Sequence, residues 1–181
     1  MNETSLRQLL ADEESYGLEF KAARDSYSRP KLNDYCAALA NENGGHLLLG
    51  VNNAKRIVGT NAFSGNWNRL AHEITNELQL RIKVYEIKVS EGRVLAFEVP
   101  RHITGTPVQV KGGTGKYRYP IRNGESLEEM DQETLKQIFA ERSEDWSAQT
   151  IENAKFTDLS GTAMQLYRNR WAEHTKDPAR R

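Results

Sequence analysis

A helical segment that runs into a glycine pair and then a buried strand constrains the fold of this chain most. Ser28 can cap the helix, Pro30 suits its first turn, and the small and apolar residues of LNDYCAALANEN continue it. The glycines at positions 44 and 45 end the helix, and the apolar run His46–Val51 has the length of one buried strand. This succession is typical of a domain built around a β-sheet.

The remaining periodic segments complete an α+β pattern. Helical periodicity occurs at Glu3–Leu10, Trp67–Leu78 and Gln132–Arg142, the last of which Asp131 can cap. Strand-like alternation occurs at Gly17–Lys21, Arg56–Gly59, Ile82–Val89, Arg93–Val99, Val108–Lys111 and Lys116–Arg122. Ser126 and Glu129 have the spacing of a helix-capping pair. We therefore predict a mixed, largely antiparallel sheet with helices packed on one of its faces.

The last part of the chain has a different character. We predict one domain over residues 1–145 and an extension over 146–181, which begins with a polar linker. Within the extension, Gly161–His174 predicts an amphipathic helix with Tyr167 and Trp171 on one side. That helix either packs back on the domain, mediates homo-oligomerisation, or leads into a C-terminal region that is missing here. We favour the last interpretation.

Charge is distributed unevenly although the formal net charge is 0. Between Arg101 and Arg122 there are five Lys or Arg residues and no Asp or Glu, whereas acidic residues dominate from position 123 to 145. Screening confines each charge to about 8–10 Å at physiological salt, so a basic segment on a neutral protein can still bind a phosphate backbone. The same segment can equally be a solvated sheet edge, and both interpretations stay open.

Basic and aromatic side chains alternate in the segment KGGTGKYRYPIRNGES. The candidate nucleic-acid-binding residues are Lys111, Lys116, Tyr117, Arg118 and Arg122. In an extended ribbon the lysines and arginines can contact phosphates, and a tyrosine can stack on an unpaired base. The alternative is a surface hairpin whose tyrosines pack on the core.

Several familiar sites are excluded by their spacing. GGTGKY lacks both the preceding glycine and the following Ser or Thr that a phosphate loop requires. The four histidines have no metal-ligand spacing, and the single cysteine, Cys36, can complete neither a disulfide nor a zinc site. We see no signal peptide and no apolar run of membrane-spanning length, and therefore expect a cytoplasmic protein without a membrane partner.

A second candidate site is acidic. Glu14 and Glu19 could approach each other and hold a divalent cation, beside Lys21. The alternative is that Glu14 is a solvated loop residue and that Glu19 pairs with Lys21 or a neighbouring strand. We favour this alternative, because exposed acidic clusters are common and mostly inert.

Four blocks of sequence together resemble a known family. ESYGLEFK, CAALANENGGHLLLGVNNAKRIVG, VLAFEVP and KYRYPIRNGES follow one another as in the Schlafen AlbA-like domain, over about residues Glu14–Arg142. The resemblance implies the fold of Schlafen core domains and a role in binding DNA or RNA. Many bacterial members carry this domain ahead of an ATPase-like or winged-helix region and are regarded as transcriptional regulators or helicase-related proteins.

The resemblance also implies an alternative function. Some Schlafen proteins are Mg²⁺- or Mn²⁺-dependent endoribonucleases that cut structured RNA such as tRNA with two glutamates and an aspartate. Glu14 and Glu19 match the glutamates, and Lys21 would stabilise phosphate charge, but Asn53 lies where the aspartate is expected. An asparagine carbonyl can still bind a metal, although it lowers the negative charge of the site. Our leading hypothesis is thus a non-enzymatic nucleic-acid-binding module.

Overall fold

The structure is a computed structural model that describes residues 1–11, 17–65, 67–112, 115–124, 126–142, 155, 158 and 160–174. The chain divides into two compact units, Met1–Ser143 and Glu144–Arg181, which are described separately. In the described part, no helix has the length and apolar character that crossing a membrane requires.

A four-stranded mixed sheet forms the centre of the first unit. Its strands are β1 (Leu18–Lys21), β2 (Gly45–Leu49), β3 (Lys83–Val89) and β4 (Gly92–Val99), in the spatial order β1-β2-β4-β3. β1 runs parallel to β2, and the other neighbours are antiparallel. The predicted α+β class with a mixed, largely antiparallel sheet is confirmed.

Helices cover both faces of this sheet. α2 (Arg29–Glu42) and α3 (Trp67–Leu78) pack on one face, and α1 (Glu3–Ala11) packs on the other through Leu6. The expectation of helices on one face was therefore wrong. The physical reason lies in β2 and β4, which are apolar on both sides and so expose a hydrophobic surface to each face.

The glycine pair after α2 permits a close approach between the start of β2 and the residue that precedes β1. The backbone N–H of His46 donates a hydrogen bond of 2.7 Å to the Gly17 carbonyl. Gly45 has φ +151°, and a Cβ atom at that position would lie 1.9 Å from the same carbonyl oxygen. Only glycine fits this contact, through which β1 and β2 start side by side.

Two short hairpins follow the main sheet. β5 (Val110–Lys111) pairs with β6 (Tyr117–Arg118), and β7 (Pro120–Asn123) pairs with β8 (Ser126–Glu129). The predicted strand over 116–122 is thus divided at Tyr119, where the chain changes its pairing partner. The capping interpretation of Ser126 and Glu129 was wrong, because β8 spans both residues.

The helix that follows β8 begins where the sequence predicts. Asp131 caps α4 (Gln132–Ala140), because its carboxylate accepts a hydrogen bond of 2.7 Å from the Thr134 N–H. The predicted return strand over 56–59 shrinks to one isolated bridge between Val51 and Ile57. A single bridge suffices to close the tight turn after β2.

The second unit contains α5 (Gly161–His174), at the predicted position. The rings of Tyr167 and Trp171 stack with centroids 6.1 Å apart, and both side chains are exposed. Most of the predicted linker lies outside the described residues.

Candidate nucleic-acid interface

A buried asparagine fastens the two hairpins to α2. The Asn41 side-chain amide donates hydrogen bonds of 2.9 Å to the carbonyls of Val108 and Pro120. Its Oδ1 atom accepts a hydrogen bond of 2.7 Å from the Val108 N–H. Because Val108 precedes β5 and Pro120 begins β7, this one side chain holds the entry of each hairpin.

Arg122 lies in an ion-pair network beneath the hairpins. Its guanidinium contacts the Glu42 carboxylate at 2.6 Å and donates a hydrogen bond of 3.2 Å to Glu19 Oε2. The Arg122 side chain is only 14% exposed. The structure therefore places this candidate residue in contact with protein carboxylates, where it holds β7 against α2 and β1.

The candidate metal and catalytic set is only partly visible. Glu14 lies outside the described residues. Glu19 is buried, and its second oxygen, Oε1, contacts Lys21 Nζ at 2.7 Å. Burial by itself would lower the pKa of Lys21, but hydrogen bonds to Glu19 and Tyr35 outweigh it and raise the pKa. Asn53 follows the end of β2, whereas Glu19 pairs with Leu47 in the middle of that strand.

This geometry does not favour a divalent cation at Glu19. Lys21 and Arg122 occupy both carboxylate oxygens, so a metal would have to displace one of them. Among the described residues, no group of three or more His, Cys, Asp or Glu side chains could hold a metal ion. The pairing of Glu19 with Lys21 agrees with the alternative that the sequence favoured, and the nuclease hypothesis with Mg²⁺ or Mn²⁺ stays a prediction.

The remaining candidates form what we call the hairpin surface: Lys111, Lys116, Tyr117 and Arg118. Both lysines are exposed, and neither makes an ion pair within the described ranges. Tyr117 is 60% exposed, so it does not pack on the core. Arg118 turns towards α2, where its Nη2 lies 2.6 Å from each carboxylate oxygen of Asp34. Two cations that pair with no described residue and one aromatic ring therefore face solvent together.

The first turn of α2 adds a cation that sequence reasoning missed. Lys31 is exposed and makes no ion pair with any residue that the structure describes. Ser28 is the N-cap residue, but its side chain accepts no hydrogen bond from the described first turn. The turn contains no acidic residue of its own, so the helix dipole adds positive potential at this end of α2. The signal was the segment RPK at the start of a predicted helix.

A cavity of about 540 Å³ opens between this first turn, the end of α3 and the hairpin surface. Pro30, Leu78 and Val110 contribute apolar walls. The charged residues that line it are Arg29, Asp34, Glu77, Lys111 and Arg118. Arg29 is paired with Glu77 at 3.3 Å and Arg118 with Asp34, so among the described charged residues of this lining Lys111 alone makes no ion pair.

The chain belongs to the family described as Schlafen, AlbA_2, whose model matches residues 14–131. The resemblance inferred from the sequence blocks is thereby confirmed. The crystal structure of the DIP2311 protein from Corynebacterium diphtheriae is similar, with 22% identity and a TM-score of 0.56. That match covers 92% of this chain and 37% of the neighbour, so the chain spans little more than a third of the neighbour's length. The likeness shows a shared fold.

A second solved structure is the N-terminal domain of a RecG-related protein from Nitrosomonas europaea. It has 25% identity and a TM-score of 0.41, and the match covers 66% of this chain and 86% of that domain. No curated protein matches the chain.

Proposed function

We propose that this Schlafen AlbA-like domain binds DNA or RNA through the hairpin surface and Lys31. The observation that carries the proposal is that three lysines are exposed and make no ion pair with any described residue: Lys111 and Lys116 beside the exposed ring of Tyr117, and Lys31 in the first turn of α2. Positive charge that is not neutralised by the protein attracts phosphates and releases their counterions. Membership of the family agrees with this role.

The network around Arg122 supports the proposal indirectly. Carboxylates of α2 and β1 already bind its guanidinium, so Arg122 is a support of the hairpins and the lysines are the phosphate contacts. An anchored hairpin keeps its cations in fixed positions, which lowers the entropy lost on binding. The proposal therefore assigns different roles to basic residues that lie only a few positions apart.

The test is the affinity of the chain for fluorescein-labelled DNA and RNA oligonucleotides, measured by anisotropy. The double variant Lys111→Gln/Lys116→Gln removes two positive charges from the hairpin surface. We expect it to weaken binding at least tenfold, because each phosphate contact contributes to the counterion-release free energy.

A matched control removes the same charge elsewhere. Lys88 on β3 and Lys136 on α4 are exposed and lie off the hairpin surface, so Lys88→Gln/Lys136→Gln should bind nearly as the unaltered chain does. Equal losses in the two double variants would mean that net charge alone governs binding, and the assigned surface would be wrong.

A further inference from the structure

Tyr117 lines two cavities. Besides the cavity beside α2, its side chain lines a second one of about 430 Å³. Tyr117, Glu77 and Leu78 line both. Each volume falls within the range of about 300–1,000 Å³ that is usual for small-molecule sites. An exposed ring that lines two such cavities can contact a separate planar group in each.

Apolar side chains form much of the walls of both cavities. Pro30, Leu78 and Val110 line the first cavity. Leu80, Ile103 and Pro107 line the second, and the Ile103 side chain is among the exposed large hydrophobic residues. Apolar walls next to an exposed tyrosine suit the faces of unstacked bases. A duplex hides those faces within its stack and presents only base edges and phosphates.

The distribution of charge distinguishes where bases and where phosphates can bind. Asp34 lines the first cavity and Glu77 lines both, but Arg118 and Arg29 pair with them, so these four side chains leave no net charge to hold a phosphate. Lys111 and Lys116 are exposed and unpaired in the described part of the chain, so they attract it. This arrangement orients a strand with its backbone along the lysines and its bases towards the cavities.

We infer that the hairpin surface selects unpaired nucleic acid, and that Tyr117 inserts between two successive bases, which occupy the two cavities. The inference rests on the proposed function, because it requires that the lysines bind phosphates. Stacking on one aromatic side chain changes the affinity for single strands about five- to a hundredfold. The selectivity for single strands over duplex should be of the same size.

The experiment compares a single-stranded oligonucleotide, as DNA and as RNA, with the fully paired duplex of the same sequence. The proteins are the full chain and its variants Tyr117→Ala and Tyr117→Phe. Since Tyr117 is largely exposed, both variants should keep the melting temperature of the parent. We expect Tyr117→Ala to lose about five- to a hundredfold in affinity for the single strands and Tyr117→Phe to retain it. The affinity for the duplex should be lower than that for the single strand, and neither variant should change it.

A fluorescence measurement tests directly whether Tyr117 inserts between bases. A 2-aminopurine within the oligonucleotide should lose fluorescence on binding the parent and Tyr117→Phe, and keep it on binding Tyr117→Ala. Equal affinity for duplex and single strand, or an unchanged Tyr117→Ala variant, would overturn the inference. If Lys111→Gln/Lys116→Gln still weakens binding in that case, the proposed function survives. If that double variant binds like the parent, the proposed function fails as well.

Discussion

Replacement of Arg122 by methionine should destabilise the domain severely. The Arg122 guanidinium contacts the Glu42 carboxylate at 2.6 Å and Glu19 at 3.2 Å, and its side chain is 14% exposed. Methionine retains the length and the apolar stem but removes the charge. Removing one partner of a buried ion pair lowers the free energy of unfolding by about 3–5 kcal/mol, here because a carboxylate is left without its cation. Lys21 still pairs with Glu19, so we expect a loss near the lower end, about 3 kcal/mol.

A second change should recover part of that loss. Glu42 Oε1 also accepts a hydrogen bond of 2.9 Å from the Arg122 backbone N–H, and glutamine preserves this acceptor. In the double variant Arg122→Met/Glu42→Gln no unpaired charge remains at Glu42. The cycle formed by the parent, the two single variants and the double variant should therefore show a favourable coupling of at least about 1 kcal/mol.

Urea denaturation followed by circular dichroism measures the free energy of unfolding of each variant. Lys116→Met is the matched control on the same segment, since Lys116 is exposed and without an ion pair among the described residues, and it should change stability by less than about 0.5 kcal/mol. The reasoning is refuted if Arg122→Met is as stable as the control and loses nucleic-acid affinity instead. Arg122 would then be a phosphate contact.

Two further predictions concern α2. Asn41→Leu should lower the free energy of unfolding by at least about 2 kcal/mol in the same urea assay, because it leaves the Val108 and Pro120 backbone groups without their partner; a change below about 0.5 kcal/mol would show that Asn41 does not fasten the hairpins. Burial raises the pKa of the Cys36 thiol to about 12, so stability should fall by up to about 1.4 kcal/mol per pH unit above about pH 9, where only the unfolded thiol ionises. Cys36 should react with a thiol reagent only on unfolding, and rapid labelling of the native chain would contradict its burial.

Local patterns predicted most of the fold. Trp67–Leu78 and the capping of α4 by Asp131 follow from periodicity and capping chemistry within one segment. The covered second face of the sheet was not predictable in this way, because Leu6 meets its partners only after β1, β2 and β4 have paired. The division at Tyr119 has the same origin, since its carbonyl accepts a hydrogen bond from the N–H of Met130 in a later segment.

The candidate site was predictable as a segment but not residue by residue. Sequence alone makes Lys111, Lys116 and Arg122 equivalent basic residues on one ribbon. They differ because Arg122 forms ion pairs with Glu42 and Glu19, which lie 80 and 103 positions earlier in the sequence. A pairing over such a separation leaves no pattern in the local sequence. Lys31 was missed although RPK begins a predicted helix, because only the folded chain brings the first turn of α2 to the cavity beside the hairpin surface.

The salt dependence of binding tests the central claim most directly. With Lys31, Lys111 and Lys116 as phosphate contacts, the logarithm of the association constant for a single strand should fall against the logarithm of salt concentration with a slope of about −2. The variant Lys111→Gln/Lys116→Gln should reduce that slope by more than half. Affinity that does not change with salt, or a slope that this variant leaves intact, would contradict binding through the hairpin surface.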